Sequence, residues 1–116
     1  MSFDCTIERQ GDTIRVVPEG DIDAANAPLL REVLRQVLAT GGTGHVEVSM
    51  RDVTFLDSSG LGMLVAAQRA AGAKGRTLML REAGPVVRMV LEVTHLDGVL
   101  LADGDTDTDA APATQP

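Results

Sequence analysis

Aromatic residues are nearly absent from this 116-residue chain, which has two Phe and neither Tyr nor Trp. Its core must therefore be aliphatic, and unpaired bases would find few rings on which to stack. The net charge of −7 also opposes contact with a nucleic-acid backbone. We therefore expect no direct nucleic-acid partner.

Cysteine and long apolar runs are scarce as well. Cys5 is the single cysteine, so an internal disulfide is excluded. It alternates with Phe3 and Ile7 in a strand-like pattern, which predicts a buried core thiol. No apolar run approaches the ~20 residues that cross a bilayer. The N-terminus also lacks a basic patch followed by an apolar stretch. We expect a cytoplasmic protein without a membrane partner.

The sequence offers little that resembles a catalytic or metal site. His45 and His95 are far apart, and no Cys/His cluster exists, so we expect neither a metal nor a cofactor. The segment 60–62, Gly-Leu-Gly, lacks the remaining residues of a dinucleotide or phosphate loop. Ser58 stands outside a Gly-x-Ser-x-Gly frame. We expect no enzyme, and a hydrolase triad of Ser58, His95 and Asp97 remains a distant alternative.

The hydrophobic periodicity predicts an α/β fold. In chain order it indicates strands at 3–8 and 13–17, a helix at 24–39, a strand at 46–50, a helix after 58, a strand at 77–80, a helix from 85 and an edge strand at 99–101. Pro18 is expected to end the second strand. The result is a β-hairpin followed by a βαβαβ arrangement. It gives a mixed sheet of four to five strands with three to four helices packed on it.

The chain divides into a domain and a tail. Residues 1–102 contain every predicted element. Residues 103–116 contain only Asp, Thr, Ala, Pro, Gly and Gln, including four aspartates. Such a segment cannot bury enough apolar surface to offset its ordering entropy. We therefore predict a disordered acidic tail at 103–116.

The segment 52–64 is the part of the chain that could act as a switch. It runs from an apolar strand end through an acidic, hydroxyl-bearing corner into a helix, and Ser58 is predicted to be the helix N-cap. Backbone N–H groups at a helix N-terminus tolerate negative charge, including phosphate. Gly60 and Gly62 cost about 1 kcal/mol each in helix propensity. They therefore indicate close approach of the backbone to a strand or a partner.

A phosphate on Ser58 is expected to spare the fold and to weaken an interface. The helix dipole contributes about 0.3–1 kcal/mol in favour of the added charge. One unfavourable charge pair at ~4 Å, with an effective dielectric of ~20, costs about 4 kcal/mol. Asp57 adjoins Ser58, and Asp21 and Asp23 end another predicted strand, so a partner could dock on this acidic corner. The alternative is that Ser58 is only a cap.

Two motifs resemble those of a known family. Residues 57–62, Asp-Ser-Ser-Gly-Leu-Gly, resemble the signature of the STAS domain, in particular that of the bacterial anti-sigma factor antagonists. Residues 20–23, Gly-Asp-Ile-Asp, are similar to the family's second motif, a turn before the first long helix. The resemblance covers about residues 3–101 and implies a STAS-like fold.

The resemblance also implies a function. Members of the family bind an anti-sigma factor that is also a serine kinase, and thereby free a sigma factor for transcription. The kinase phosphorylates the serine after the motif's Asp, here Ser58, with Ser59 as the secondary candidate. A PP2C-type phosphatase reverses the modification. The implied partner-binding residues are Asp21, Asp23, Asp57, Ser58, Ser59, Gly60, Leu61 and Met63. The alternative is a ligand-binding, nucleotide-binding or scaffold STAS module with no sigma-factor role.

Overall fold

The structure, a computed structural model, describes residues 3–40 and 44–102. Within these ranges the chain forms five strands and four helices. In chain order they are β1 (Asp4–Gln10), β2 (Thr13–Ile22), α1 (Ala27–Ala39), β3 (His45–Ser49), β4 (Val53–Leu56), α2 (Ser58–Ala73), β5 (Thr77–Arg81), α3 (Pro85–Val93) and α4 (Asp97–Leu100). The predicted α/β class and the initial hairpin are confirmed. The predicted tail at 103–116 lies outside the described residues.

The five strands form one mixed sheet. Its order is β1-β2-β3-β5, and β4 pairs with the end of β2. The β1–β2 hairpin is antiparallel, whereas β2, β3 and β5 run parallel to one another. β4 also runs parallel to β2, with Asp21 beside Phe55 and Ile22 beside Leu56. The carboxyl ends of β2 and β4 therefore lie side by side at one edge of the sheet.

The core is aliphatic, as the composition predicts. Register and strand alternation place three pairs of residues on one face of β2, β3 and β5. All six are buried: Ile14 and Val16, Val46 and Val48, Leu78 and Leu80. α1 and α2 pack against each other and contribute leucines to the same core. No helix in the described part of the chain is long and apolar enough to cross a membrane.

The prediction that Pro18 ends β2 is wrong. The strand continues to Ile22, and Pro18 is buried opposite Cys5. β2 pairs with β3 through Val16 and with β4 from Gly20 onwards. Pro18 therefore lies between the two parallel partners, where a missing N–H costs no hydrogen bond of either ladder.

The edge position of β1 and the turn before α1 account for three differences between the structure and the sequence predictions. β1 is an edge strand, so Cys5 is half-buried rather than fully buried and Ile7 is 46% exposed. Helix α1 begins at Ala27, three residues later than predicted, because Asp23 holds the preceding residues in a turn. Leu29, in the first turn of α1, is 54% exposed.

The predicted strand at 99–101 is also wrong. Asp97–Leu100 forms the short helix α4, which buries Leu100. Leu101 alone makes a parallel bridge to Leu80, and the N–H of Ala102 donates to the Leu80 carbonyl at 2.9 Å. His95 adopts φ 60°, and this left-handed residue turns the chain between α3 and α4.

Candidate functional site

Helix α2 begins where β4 leaves the sheet. The backbone N–H of Asp57 donates to the carbonyl of Ile22, the last residue of β2, at 3.2 Å. The carbonyl of Asp57 then accepts the first helical hydrogen bond, from the N–H of Leu61, at 2.9 Å. The two strand ends and the start of α2 therefore form one connected corner, which we call the β4–α2 corner (residues 21–23 and 54–60).

The N-cap of α2 is Asp57, so the prediction that Ser58 is the cap is wrong. Asp57 has an extended backbone, with φ −104° and ψ −176°, and its carboxylate accepts a hydrogen bond from the Gly60 N–H at 3.0 Å. Ser58 is already the first helical residue. Aspartate and serine are comparably good caps, and the residue that still has strand-like angles takes the role.

Because Asp57 is the cap, the Ser58 hydroxyl stabilises no element in the described part of the chain. Ser58 and Ser59 are both exposed at the N-terminal end of α2. No protein group in the described part of the chain hydrogen-bonds to the Ser58 side chain. A hydroxyl in this position is open to an enzyme that would modify it, and the helix N-terminus beside it tolerates the resulting charge.

The two glycines of the motif differ in their surroundings. A methyl group at Gly60 would lie 2.6 Å from the Ile22 carbonyl oxygen and 2.9 Å from a Leu56 methyl, so Gly60 allows α2 to pack on the strand ends. A methyl group at Gly62 would meet nothing within 4 Å, and Gly62 is exposed. The predicted close approach to a strand is therefore confirmed for Gly60, whereas nothing within the described fold requires a glycine at 62.

The acidic side chains of the second motif lie at the same corner. Asp21 accepts a hydrogen bond from the Thr54 hydroxyl at 2.6 Å, which links the end of β2 to β4. Asp23 accepts from the N–H groups of Ala25 and Asn26 at 3.1 and 3.0 Å. Asp23 thus stabilises the turn before α1, and Asn26, not Asp21 or Asp23, is the helix N-cap.

The corner carries uncompensated negative charge. The ion pairs among the described residues join Arg15, Arg35 and Arg51 to other carboxylates, and none involves Asp21, Asp23 or Asp57. All three aspartates are partly exposed. A basic surface on a partner would complement this corner, and such complementarity steers association.

The apolar residues expected to anchor a partner are mostly inside the protein. Leu61 and Met63 are only 7% and 8% exposed, because they face the core from α2. The accessible apolar side chain at the corner is Phe55, which is 47% exposed and lies beside Asp21 in the sheet. Phe55 is not among the partner-binding residues predicted from the sequence. Strand alternation would have placed Phe55 on the side opposite the buried Leu56.

The described residues form neither a metal-binding cluster nor a hydrolytic triad around Ser58. Among the described residues no group of three or more His, Cys, Asp or Glu side chains could hold a metal ion. His95 lies in the turn after α3, and Asp97 begins α4. No hydrogen bond within the described ranges connects Ser58 to either residue.

The chain matches one protein family over most of its length. Residues 5–102 match the family model described as "Mlab, STAS domain". The chain belongs to the STAS domain family. This STAS domain is 26% identical over 100 residues to the anti-sigma-B factor antagonist of Bacillus subtilis strain 168, an alignment that covers 86% of this chain and 90% of that protein.

Solved structures show the same fold. An anti-sigma factor antagonist from Mycobacterium paratuberculosis superposes with a TM-score of 0.74 at 29% identity, covering 97% of this chain and 93% of that chain. The anti-sigma factor antagonist SpoIIAA in its unphosphorylated form superposes with a TM-score of 0.71 at 22% identity, covering 94% and 93%. The STAS domain described here therefore has relatives that are anti-sigma factor antagonists.

Proposed function

We propose that this STAS domain is an anti-sigma factor antagonist of the bacterial cytoplasm. In its unphosphorylated form it binds an anti-sigma factor through the β4–α2 corner and so releases a sigma factor. The observation that carries the proposal is the exposed Ser58 hydroxyl, unused by the fold, directly after the capping Asp57. The likeness to anti-sigma factor antagonists supports the same assignment.

The partner is also the kinase that modifies Ser58. The Ser58 Oγ attacks the γ-phosphorus of ATP, the bond from this phosphorus to the bridging oxygen breaks, ADP leaves, and a base of the kinase takes the hydroxyl proton. The domain supplies only the acceptor hydroxyl and no catalytic group. A PP2C-type phosphatase hydrolyses the phosphate ester and restores the binding form. The structural neighbour SpoIIAA has an unphosphorylated and a phosphorylated form, which supports such a cycle.

The phosphate acts on the interface rather than on the fold. At the first position of α2 it lies beside unpaired backbone N–H groups, which stabilise it by up to about 1 kcal/mol. In the complex it would meet the phosphates of the kinase's bound nucleotide. One like-charge pair at ~4 Å, with an effective dielectric of ~20, costs about 4 kcal/mol. This corresponds to about a thousandfold in Kd.

Ser58 is a better acceptor than Ser59 because the two side chains have different surroundings. Ser59 lines a small cleft of about 230 Å³ together with Arg31 and Met63, whereas Ser58 does not line it. Ser59 therefore lies at the groove between α1 and α2, whereas Ser58 lies outside it. Asp21, Asp23 and Asp57 provide the acidic contacts, and Gly60, Leu61 and Met63 hold α2 in place beneath them.

The test compares matched variants of the two serines. A pull-down with Ser58→Ala as bait identifies the anti-sigma factor, and calorimetry then measures its affinity with ATP or ADP present. We expect Ser58→Ala to bind like the wild type and to resist inactivation by the kinase and ATP. Ser58→Asp should bind much more weakly, and Ser59→Ala should still accept one phosphate. Equal affinities of wild type and Ser58→Asp would overturn the switch.

A further inference from the structure

A cleft runs along the outside of the domain between the packed helices α1 and α2. It has a volume of about 520 Å³, within the range of small-molecule sites. Its floor consists of the buried side chains of Leu34, Leu38 and Met63. Its α2 wall is formed by Ala66, Ala67 and Ala70, whose small side chains keep it open. The interior is thus aliphatic and suits an apolar group such as an alkyl chain.

The rim of this cleft is basic. Arg31, Arg35 and Lys74 line it, and none of its lining residues is acidic. Arg35 is engaged by Glu32, with 2.6 Å between Arg35 Nη2 and Glu32 Oε2. Within the described ranges, no ion pair involves Arg31 or Lys74. An aliphatic floor below unpaired cations fits a ligand with an alkyl chain and an anionic head.

The helix directions decide at which end the head lies. Arg31 is one turn from the start of α1, and it also lines the small cleft beside Ser59 at the start of α2. Lys74 lies at the opposite end, as the C-cap residue of α2. Helix N-termini attract anions and helix C-termini repel them. Both N-termini therefore favour the anionic head at Arg31.

We propose that the α1–α2 cleft binds a single-chain aliphatic carboxylate. Its head pairs with Arg31, and its alkyl chain runs over Leu34 and Leu38 along Ala70 towards Lys74. This binding does not require the anti-sigma factor, so it can fail or succeed independently of the proposed function.

The test is a titration of the full chain with decanoate below its micelle concentration, followed by calorimetry and amide chemical shifts. We expect saturable binding, with shifts confined to α1 and α2. Decyltrimethylammonium has the same chain with a cationic head, and butanoate has the same head with a short chain. We expect neither to bind measurably. No saturable binding of decanoate, or equal binding of the cation, would overturn the proposal, as would binding of ATP in its place.

Two matched pairs of variants locate the ligand. Ala70→Leu fills the cleft and should abolish binding, whereas Ala73→Leu changes an exposed residue of the same helix outside the cleft and should leave it intact. Arg31→Gln should weaken binding about tenfold through loss of a charged contact. Lys74→Gln should have a much smaller effect. Equal losses for Arg31→Gln and Lys74→Gln would contradict the assignment of the head to Arg31.

Sedimentation tests the other occupant of such a groove, a second copy of the chain. We expect the same molecular mass with and without decanoate and for Ala70→Leu. A dimer that Ala70→Leu dissociates would overturn the proposal in favour of self-association through this cleft.

Discussion

The carboxylate of Asp57 accepts a hydrogen bond from the backbone N–H of Gly60 at 3.0 Å, and this contact starts helix α2. The role of capping therefore belongs to Asp57, which leaves the neighbouring Ser58 hydroxyl exposed. Asp57 therefore caps the helix, whereas the Ser58 hydroxyl is accessible to a modifying enzyme. The two positions can be separated by mutation.

Asp57→Ala should lower the free energy of unfolding by about 1 kcal/mol, because the Gly60 N–H loses its acceptor. Asp57→Asn keeps a capping oxygen without the charge and should cost less. Ser58→Ala should stay within about 0.5 kcal/mol of the wild type. Urea denaturation measures all three, and a loss of about 1 kcal/mol for Ser58→Ala would show that Ser58 contributes to the cap.

The sequence predicted the α/β class, the hairpin, the aliphatic core and the position of the β4–α2 corner, because alternation and helical spacing are local patterns. It did not predict which of Asp57 and Ser58 is the cap, since both residue types suit that place and only the backbone angles distinguish them. The continuation of β2 past Pro18 was missed for another reason. The first part of β2 pairs with β3 and its last part pairs with β4. Both pairings join segments that are far apart in the sequence, so local patterns do not reveal them.

Gly60 and Gly62 should respond in opposite ways to replacement by alanine. Gly60→Ala places a methyl group 2.6 Å from the Ile22 carbonyl oxygen, a backbone atom that cannot move aside cheaply, and should cost about 2–3 kcal/mol. Gly62→Ala meets open space and should gain up to about 1 kcal/mol from helix propensity. Thermal or urea unfolding of the two variants gives the comparison.

Gly62→Ala also tests whether the missing side chain serves the partner. If a partner backbone approaches α2 here, the more stable variant should bind the anti-sigma factor more weakly than the wild type. Unchanged affinity would show that Gly62 has no role in the interface.

Arg76 is a buried cation that closes the C-terminal end of α1. It is 4% exposed, and its Nη1 donates to the carbonyls of Val37 and Thr40 at 3.1 and 3.3 Å. Arg76→Ala should cost about 3 kcal/mol, because it leaves helix carbonyls without their charged donor and opens a void. Arg76→Met retains much of the stem and should recover part of the loss. Equal stability of Arg76→Ala and wild type in urea would contradict this role.

Burial raises the pKa of the Cys5 thiol to about 11, from a value of 9.0 for the exposed group. The unfolded chain therefore loses this proton at lower pH than the folded protein does. Stability from the neutral thiol is present below pH 9.0 and is lost as the pH rises towards about 11. Unfolding titrations of wild type and Cys5→Ser should diverge across this interval. Parallel curves would contradict the shift.

Phe55 should be the apolar anchor of the β4–α2 corner. It is 47% exposed, lies beside Asp21 in the sheet and precedes Asp57 by two residues. Buried aromatic anchors commonly contribute about 2 kcal/mol or more to an interface, so Phe55→Ala should weaken anti-sigma factor binding about thirtyfold. Ile7 is the matched control, because it is similarly exposed, at 46%, but lies on the edge strand β1. Calorimetry should show a large loss for Phe55→Ala and almost none for Ile7→Ala, whereas equal effects would place the interface elsewhere on the domain.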